Sequence, residues 1–232
     1  MKINSIHSPN FDPKKRPNKS IKFLIIHYTG MQSERESIIR LCNSKSKVSS
    51  HFVINQKGKI YRLVQDNQIA WHAGKSCWGK YKNLNKTSIG IELVNKGHKF
   101  GYTNFKKKQL SSLIKICKNL IRKYRIKKQN IVGHSDVAPL RKIDPGEKFP
   151  WKELAYEKIG IWHNCNTKIL KKLRKVRISS KFKLEFINNL KKIGYYFDNK
   201  KKANFAKVIK AFQRHYRKEL INGIIDKECL LI

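Results

Sequence analysis

The feature that most constrains the fold is the stretch 105–126, where Leu110, Leu113, Ile114, Cys117, Leu120, Ile121 and Tyr124 recur at steps of three and four. One apolar stripe at that spacing is an amphipathic helix, with its lysine-rich opposite face in water. Such a helix needs an apolar partner, and short β-branched runs lie on both sides of it. "IKFLIIH" (21–27), "TSIGIELVN" (87–95) and "QNIVGH" read as strands, and "SSHFVINQKGKIYRLVQ" reads as a hairpin around a Gln56-Lys57-Gly58 turn. "SERESIIRLC" adds a short helix, with Ser33 and Glu36 at capping-box spacing. Strands interleaved with helices give an α/β fold class, a mixed central β-sheet flanked by helices.

Beyond residue 163 the character changes. "KKLRKVRISSK" carries little apolar pattern and marks a basic linker over 164–180. After it, Phe182, Phe186, Leu190 and Ile193, then Phe205, Val208, Ile209 and Phe212, fall on helical faces. The expected organisation is a main domain over 1–163, the linker, and a small all-α C-terminal domain over 181–232, within the reach of a 232-residue chain.

Lys and Arg number 53 against 15 Asp and Glu, a formal net charge of +38 that favours polyanionic surroundings. The lysine arrives with isoleucine and asparagine, three residue types favoured by AT-rich coding. Base composition therefore explains the charge as well as a partner does. The five cysteines, Cys42, Cys77, Cys117, Cys165 and Cys229, are odd in number and form no C-x-x-C pair, which argues for reduced thiols rather than a disulfide framework or zinc knuckle. "MKINSIHSPNFDPKKRPNKS" lacks the apolar run of a secretory signal, and no stretch is long and apolar enough to span a membrane. A cytoplasmic location is the expectation, with export by a non-classical route as the alternative.

"GHSDVAPLRKIDPG" (133–146) concentrates the chemistry. His27 ends one strand-like run, His134 ends another, and Asp144 follows ten residues later. Strand ends are where side chains leave a sheet and converge, and two imidazoles with one carboxylate would leave a tetrahedral zinc one open position. Each residue also has a plainer role: a strand-end histidine is commonly hydrogen-bonded structure, and Asp144 before Pro145-Gly146 is a good turn former. By spacing alone, His7, His51, His72, His98, His163 and His215 compete equally.

Lined up in order, "FLIIHYTG", "SSHFVINQKGKIYRLVQ", "AWHAGKS", "SIGIELVN" and "IVGHSDVAPLRKIDPG" with its following "FPW" resemble the zinc-dependent N-acetylmuramoyl-L-alanine amidases of the peptidoglycan-recognition-protein fold, over residues 22–151. The resemblance implies one catalytic Zn2+ held by His27, His134 and Asp144. It implies Glu92 and Lys142 as catalytic residues, and Trp71, His72 and Ala73 as the lining of the substrate cleft. His51, in the family's "HF" strand, is read as structural. Arg141 and Lys142 would point apart on extended chain, so only one enters the site, and Lys142 is the choice.

On this reading Glu92 moves a proton between water and the leaving amine, and Lys142 stabilises the oxyanion. The bond cleaved joins the lactyl group of N-acetylmuramic acid, or its anhydro form, to L-alanine of the stem peptide, in cell-wall degradation or recycling. The partner is peptidoglycan or a muropeptide, with no specific nucleic acid, and the protein is expected to be a monomer. "IGY", "AFQRHYR" and "INGIID" resemble the small helical peptidoglycan-binding domain appended to wall hydrolases, although the basic "DNKKK" loop departs from it. Two alternatives stand beside this: a recognition protein without catalysis, and a basic nucleic-acid binder whose salt-sensitive binding would survive loss of zinc.

Overall fold

The computed structural model describes residues 2–198 and 202–232, so residues 199–201 of the "DNKKK" loop lie outside the described residues. Six strands make the central sheet: β1 (Ile3–Ser5), β2 (Phe23–Tyr28), β3 (Phe52–Ile54), β4 (Ile60–Arg62), β5 (Ser88–Leu93) and β6 (Ile131–Gly133). Their spatial order is β1-β4-β3-β5-β2-β6. The β3–β4 pair is antiparallel and the others are parallel, so the sheet is mixed as the sequence suggests. The antiparallel pair is the expected hairpin, with Ile54 opposite Ile60 and Gly58 donating from its amide to the Asn55 carbonyl. β1 is an addition, because the polar N-terminal lead gives no strand signal yet pairs along β4.

Side chains alternate across a strand, so each strand sorts its residues between two faces. Ile89, Ile91 and Leu93 of β5 join Leu24 and Ile26 of β2 and Leu113, Ile116, Cys117 and Leu120 of α2 (Lys107–Tyr124) in one buried cluster. This is the stripe of the amphipathic helix meeting its sheet. Ser88, Gly90 and Glu92 therefore face the other way, together with Phe23, Ile25 and His27. On the first edge of that second face lies α1 (Glu34–Cys42), its N-terminus capped by Ser33 Oγ, which accepts from the Glu36 amide at 3.1 Å.

Val137 and the helical segments beyond residue 180 cover the rest of that second face, whereas Trp151 and Leu154 pack in the first cluster with α2. The turn α3 (His134–Val137) follows β6, and α4 (Trp151–Tyr156) follows the 138–150 loop. Next come α5 (Thr167–Leu173), α6 (Ser180–Ile193), α7 (Phe205–Tyr216) and α8 (Lys227–Leu231). Phe186, Leu190, Tyr195, Val208, Ile209 and Phe212 share one buried cluster with Phe23, Ile25, Val132 and Val137. The stretch expected as a basic linker contains α5, whose buried Leu170 packs inward. Among the described residues, no helix is long and apolar enough to cross a membrane.

The "IGY" motif is one attachment point. Gly194 has φ of 138°, and a Cβ there would lie 2.3 Å from the Trp78 ring, so only glycine lets that ring close against the end of α6. Tyr195 then donates its hydroxyl to Asp136 Oδ1 at 2.7 Å. The other carboxylate oxygen of Asp136 accepts from His215 Nδ1 at 2.8 Å and from the Gly133 amide at 2.7 Å. His215 is sandwiched between Trp151, at 4.0 Å between centroids, and Tyr216, at 4.1 Å. One buried carboxylate two residues after His134 thus ties α6 and α7 to the sheet. Asp136→Ala would strand three buried donors, and we expect a loss of about 3 kcal/mol or more, read as a fall in the denaturation midpoint. Asp136→Asn, which keeps one acceptor, should lose less.

Candidate metal centre and active site

Register brings the first two groups together. His27 of β2 is the direct partner of Glu92 on β5, both on the second face of the sheet. Gly133 at the end of β6 pairs with Ile26, so His134, the next residue, leaves the sheet beside His27. The chain then turns back: the Ser135 amide donates to the Asp144 carbonyl at 2.8 Å, which returns the Asp144 side chain to the same spot. The outcome is tight. His27 Nδ1 and His134 Nδ1 lie 3.0 Å apart, and each is 3.0 Å from Asp144 Oδ2.

All three residues are buried, and one donor atom from each falls within 4.8 Å of the others. His51, His72 and His215, equal competitors by spacing, are not part of that group. His51 accepts from the Gly90 amide at Nδ1, 3.0 Å, and contacts the Gln68 carbonyl at 3.2 Å through Nε2, which supports its structural reading.

The cleft above these atoms has a volume of about 310 Å3 and is lined by His27, Tyr28, Arg40, Trp71, Glu92, Arg141, Lys142 and Asp144, among others. A larger cavity of about 590 Å3 between α4, α5 and α7 contains none of the three converging donors. The chemistry therefore belongs to the smaller space.

Burial and the facing His134 ring lower the His27 pKa to about 4, so the ring is neutral at pH 7 and has a lone pair to offer. For Asp144, burial alone would raise the pKa, but a proton on the facing rings, His134 first and then His27, holds it well below the usual carboxylate range, and a cation seated among the three atoms would act in the same direction. Glu92 goes the other way: burial, then the Asp144 charge, pushes it up to about 8 against a smaller opposing pull from Lys142. Its Oε2 is buried and makes no hydrogen bond among the described residues. Two carboxyl groups with opposed protonation preferences facing one cleft are an arrangement suited to acid–base chemistry.

Arg141 and Lys142 both line the cleft, contrary to the expectation that only one would enter it, because they sit on a turn rather than on extended chain: the amides of both donate to the Ala138 carbonyl. Arg141 donates to the carbonyls of Ala73 and Lys75, and Lys142 is left half-buried on the cleft wall.

Of the three residues expected to line the substrate cleft, Trp71 does so, its indole fixed by donation to Asp12 Oδ1 at 2.6 Å. His72 lines it as well, whereas Ala73 needs correction. Ala73 is fully buried in the apolar cluster and is out of reach of any substrate. His72 is 8% exposed and has both ring nitrogens engaged, Nδ1 at 3.1 Å from His27 Nε2 and Nε2 at 3.1 Å from Ser88 Oγ. Asn85 was not singled out by sequence, yet its Oδ1 accepts from the amides of His72, Ala73 and Gly74.

Comparison with known proteins agrees with this geometry. The family model described as N-acetylmuramoyl-L-alanine amidase matches residues 17–147. The chain is 37% identical over 226 residues to the N-acetylmuramoyl-L-alanine amidase AmiD of Escherichia coli (strain K12), covering 90% of this chain and 79% of that protein. Among solved structures it resembles AmiD from E. coli in complex with the substrate anhydro-N-acetylmuramic acid-L-Ala-D-gamma-Glu-L-Lys, with TM-score 0.80 and 34% identity over 95% of this chain and 89% of that one. AMPDH3 from Pseudomonas aeruginosa in complex with anhydromuramic pentapeptide matches with TM-score 0.79 and 32% identity, over 95% and 91%.

Proposed function

This chain belongs to the N-acetylmuramoyl-L-alanine amidase family, and from that premise we propose that it hydrolyses the amide between N-acetylmuramic acid, or its anhydro form, and L-alanine of the stem peptide, using one zinc ion held by His27, His134 and Asp144. The observation that carries this reading is the convergence of those three side chains on the floor of a cleft that also holds Glu92. The donor set fits the ion: ligands at about 2.0–2.2 Å in a tetrahedron lie roughly 3.3–3.5 Å from one another, close to the 3.0 Å separations here. Three protein ligands leave an open position, as a catalytic rather than a structural site requires.

When bound, zinc would supply Lewis acidity, making water nucleophilic at neutral pH and polarising the carbonyl. The remaining work falls to the chain. Glu92, whose ionised form the charge of a bound zinc would favour and whose Oε2 has no hydrogen bond among the described residues, takes the proton of the attacking water and delivers it to the alanine nitrogen as the amide breaks. Lys142, on the cleft wall, presents its ammonium to the carbonyl oxygen as charge grows there. Trp71 offers an aromatic wall, and Arg40 with Lys142 attracts the carboxylates of a stem peptide. In this reading 1–163 is the catalytic domain, 164–180 the connection, and 181–232 a helical module docked through Asp136.

Incubation with an anhydro-muropeptide and with intact peptidoglycan, followed by mass spectrometry, tests the reaction. Free stem peptide is the expected product. The two relatives solved with anhydro-muramyl peptides support the small fragment as the faster substrate. No release from either substrate by zinc-loaded protein would sink the proposal. Lys142→Met should cut kcat by about 10²-fold with little change in zinc content.

A further inference from the structure

We infer that residues 72 and 73 form a clamp that fixes the tautomer of both ligand imidazoles, so that Nδ1 of each is the atom offered to the metal. The inference rests on the zinc reading above. It follows from which groups are able to donate, with protons assigned through the hydrogen-bond network.

The Leu84 carbonyl accepts and never donates. Ser88 Oγ lies 2.5 Å from it and commits its one proton there. Toward His72 Nε2, 3.1 Å away, Ser88 Oγ is then an acceptor, so His72 carries its proton on Nε2. That leaves a lone pair on His72 Nδ1, which receives a hydrogen bond from His27 Nε2 at 3.1 Å. His27 Nδ1 is consequently free of a proton. His134 reaches the same state because its Nε2 lies 3.2 Å from the Ala73 carbonyl, again a pure acceptor, while Arg141 Nη2, 3.4 Å from that nitrogen, commits its protons to the carbonyls of Ala73 and Lys75.

Both routes end at one point. His27 Nδ1, His134 Nδ1 and Asp144 Oδ2 meet at 3.0 Å separations, all presenting lone pairs, and only a cation among them turns that repulsion into binding. The clamp is itself anchored. Asn85 Oδ1 holds the amides of residues 72–74, and Arg141 pins the carbonyls of Ala73 and Lys75. Gly90 gives the His72 ring its place over the sheet, since a Cβ there would lie 2.5 Å from it. His72, Ser88 and Ala73 are therefore positioning residues that act through the ligands. Removing such a partner typically weakens metal affinity by about 10–100-fold.

Two readouts other than turnover test this. Zinc affinity, measured by competition with a chromophoric chelator, should weaken by about 10–100-fold in His72→Phe and recover most of the loss in His72→Gln, whose side-chain oxygen can accept from His27. Long-range 1H–15N NMR of the zinc-free wild-type protein should place the His27 and His134 protons on Nε2, and Ser88→Ala should convert His27 to a mixture of tautomers. A proton on His27 Nδ1 in the wild-type protein would overturn the inference without any variant. Wild-type zinc affinity retained in His72→Phe would overturn it too. If the wild-type protein takes up no zinc, the metal reading itself fails, and the clamp has no ligand set to orient.

Discussion

Glu92→Gln is expected to lower kcat by about 10²–10⁴-fold and, in the same molecule, to make the metal-free protein harder to unfold. Both effects come from one placement. Glu92 interrupts a strand whose register sets it beside His27, its Oε2 has no hydrogen bond among the described residues, and Asp144 repels its charge. The folded protein therefore holds the proton up to about pH 8, whereas an unfolded chain releases it near 4.5. With the folded pKa raised, the wild-type protein enjoys its full stability below about pH 4.5 and loses part of it as pH climbs through about 8. Glutamine cannot ionise and escapes that loss. The advantage of the variant should be near zero at about pH 3.5 and grow to roughly 4 kcal/mol by pH 8.5. Chemical denaturation of both proteins with chelator present, at the two pH values, measures it. An advantage that does not change with pH would mean that Glu92 is not the strained acid described here.

The same strand shows how far the sequence could be read. The helix 107–124 and the strands it covers were legible because an amphipathic stripe and β-branched runs carry their own period. The convergence of His27, His134 and Asp144 was not legible from spacing, since 107 residues separate the two histidines and six other histidines were equal candidates. Family resemblance selected these three, and parallel register explains why they meet. α5 was missed because Leu170 is its one buried residue, too little for a periodic signal. β1 was missed because it is a three-residue edge strand in a polar lead. The hydrogen-bonded setting of His72 had a signal that went unused. In Ser88-Ile89-Gly90-Ile91-Glu92-Leu93 the apolar residues alternate with a hydroxyl, a glycine and an acid, which marks a sheet face built around something other than a hydrocarbon core. His72 occupies that face, over Gly90 and hydrogen-bonded to Ser88.

Loss of the metal should have the largest effect of all. A chelator is expected to reduce turnover by about 10³-fold or more, because Lewis-acid activation is worth several kcal/mol and each 1.36 kcal/mol is about tenfold in rate. Added zinc should restore the wild-type protein and leave His134→Ala inactive, since that variant loses one of three donors and strands the buried Asp144 carboxylate beside a single imidazole. Thermal melting separates lost chemistry from lost binding. At zinc concentrations about 1,000 times the dissociation constant, a ligand that binds only the folded state stabilises it by about 4 kcal/mol. Zinc should therefore raise the melting temperature of the wild-type protein and have little effect on His134→Ala. The net charge of +38 provides the control, because retention on an anionic polymer at low salt should be the same for both proteins with or without chelator. Turnover that persisted through chelation would refute the metal site, and polymer binding that vanished with zinc would show that the charge does not act independently of it.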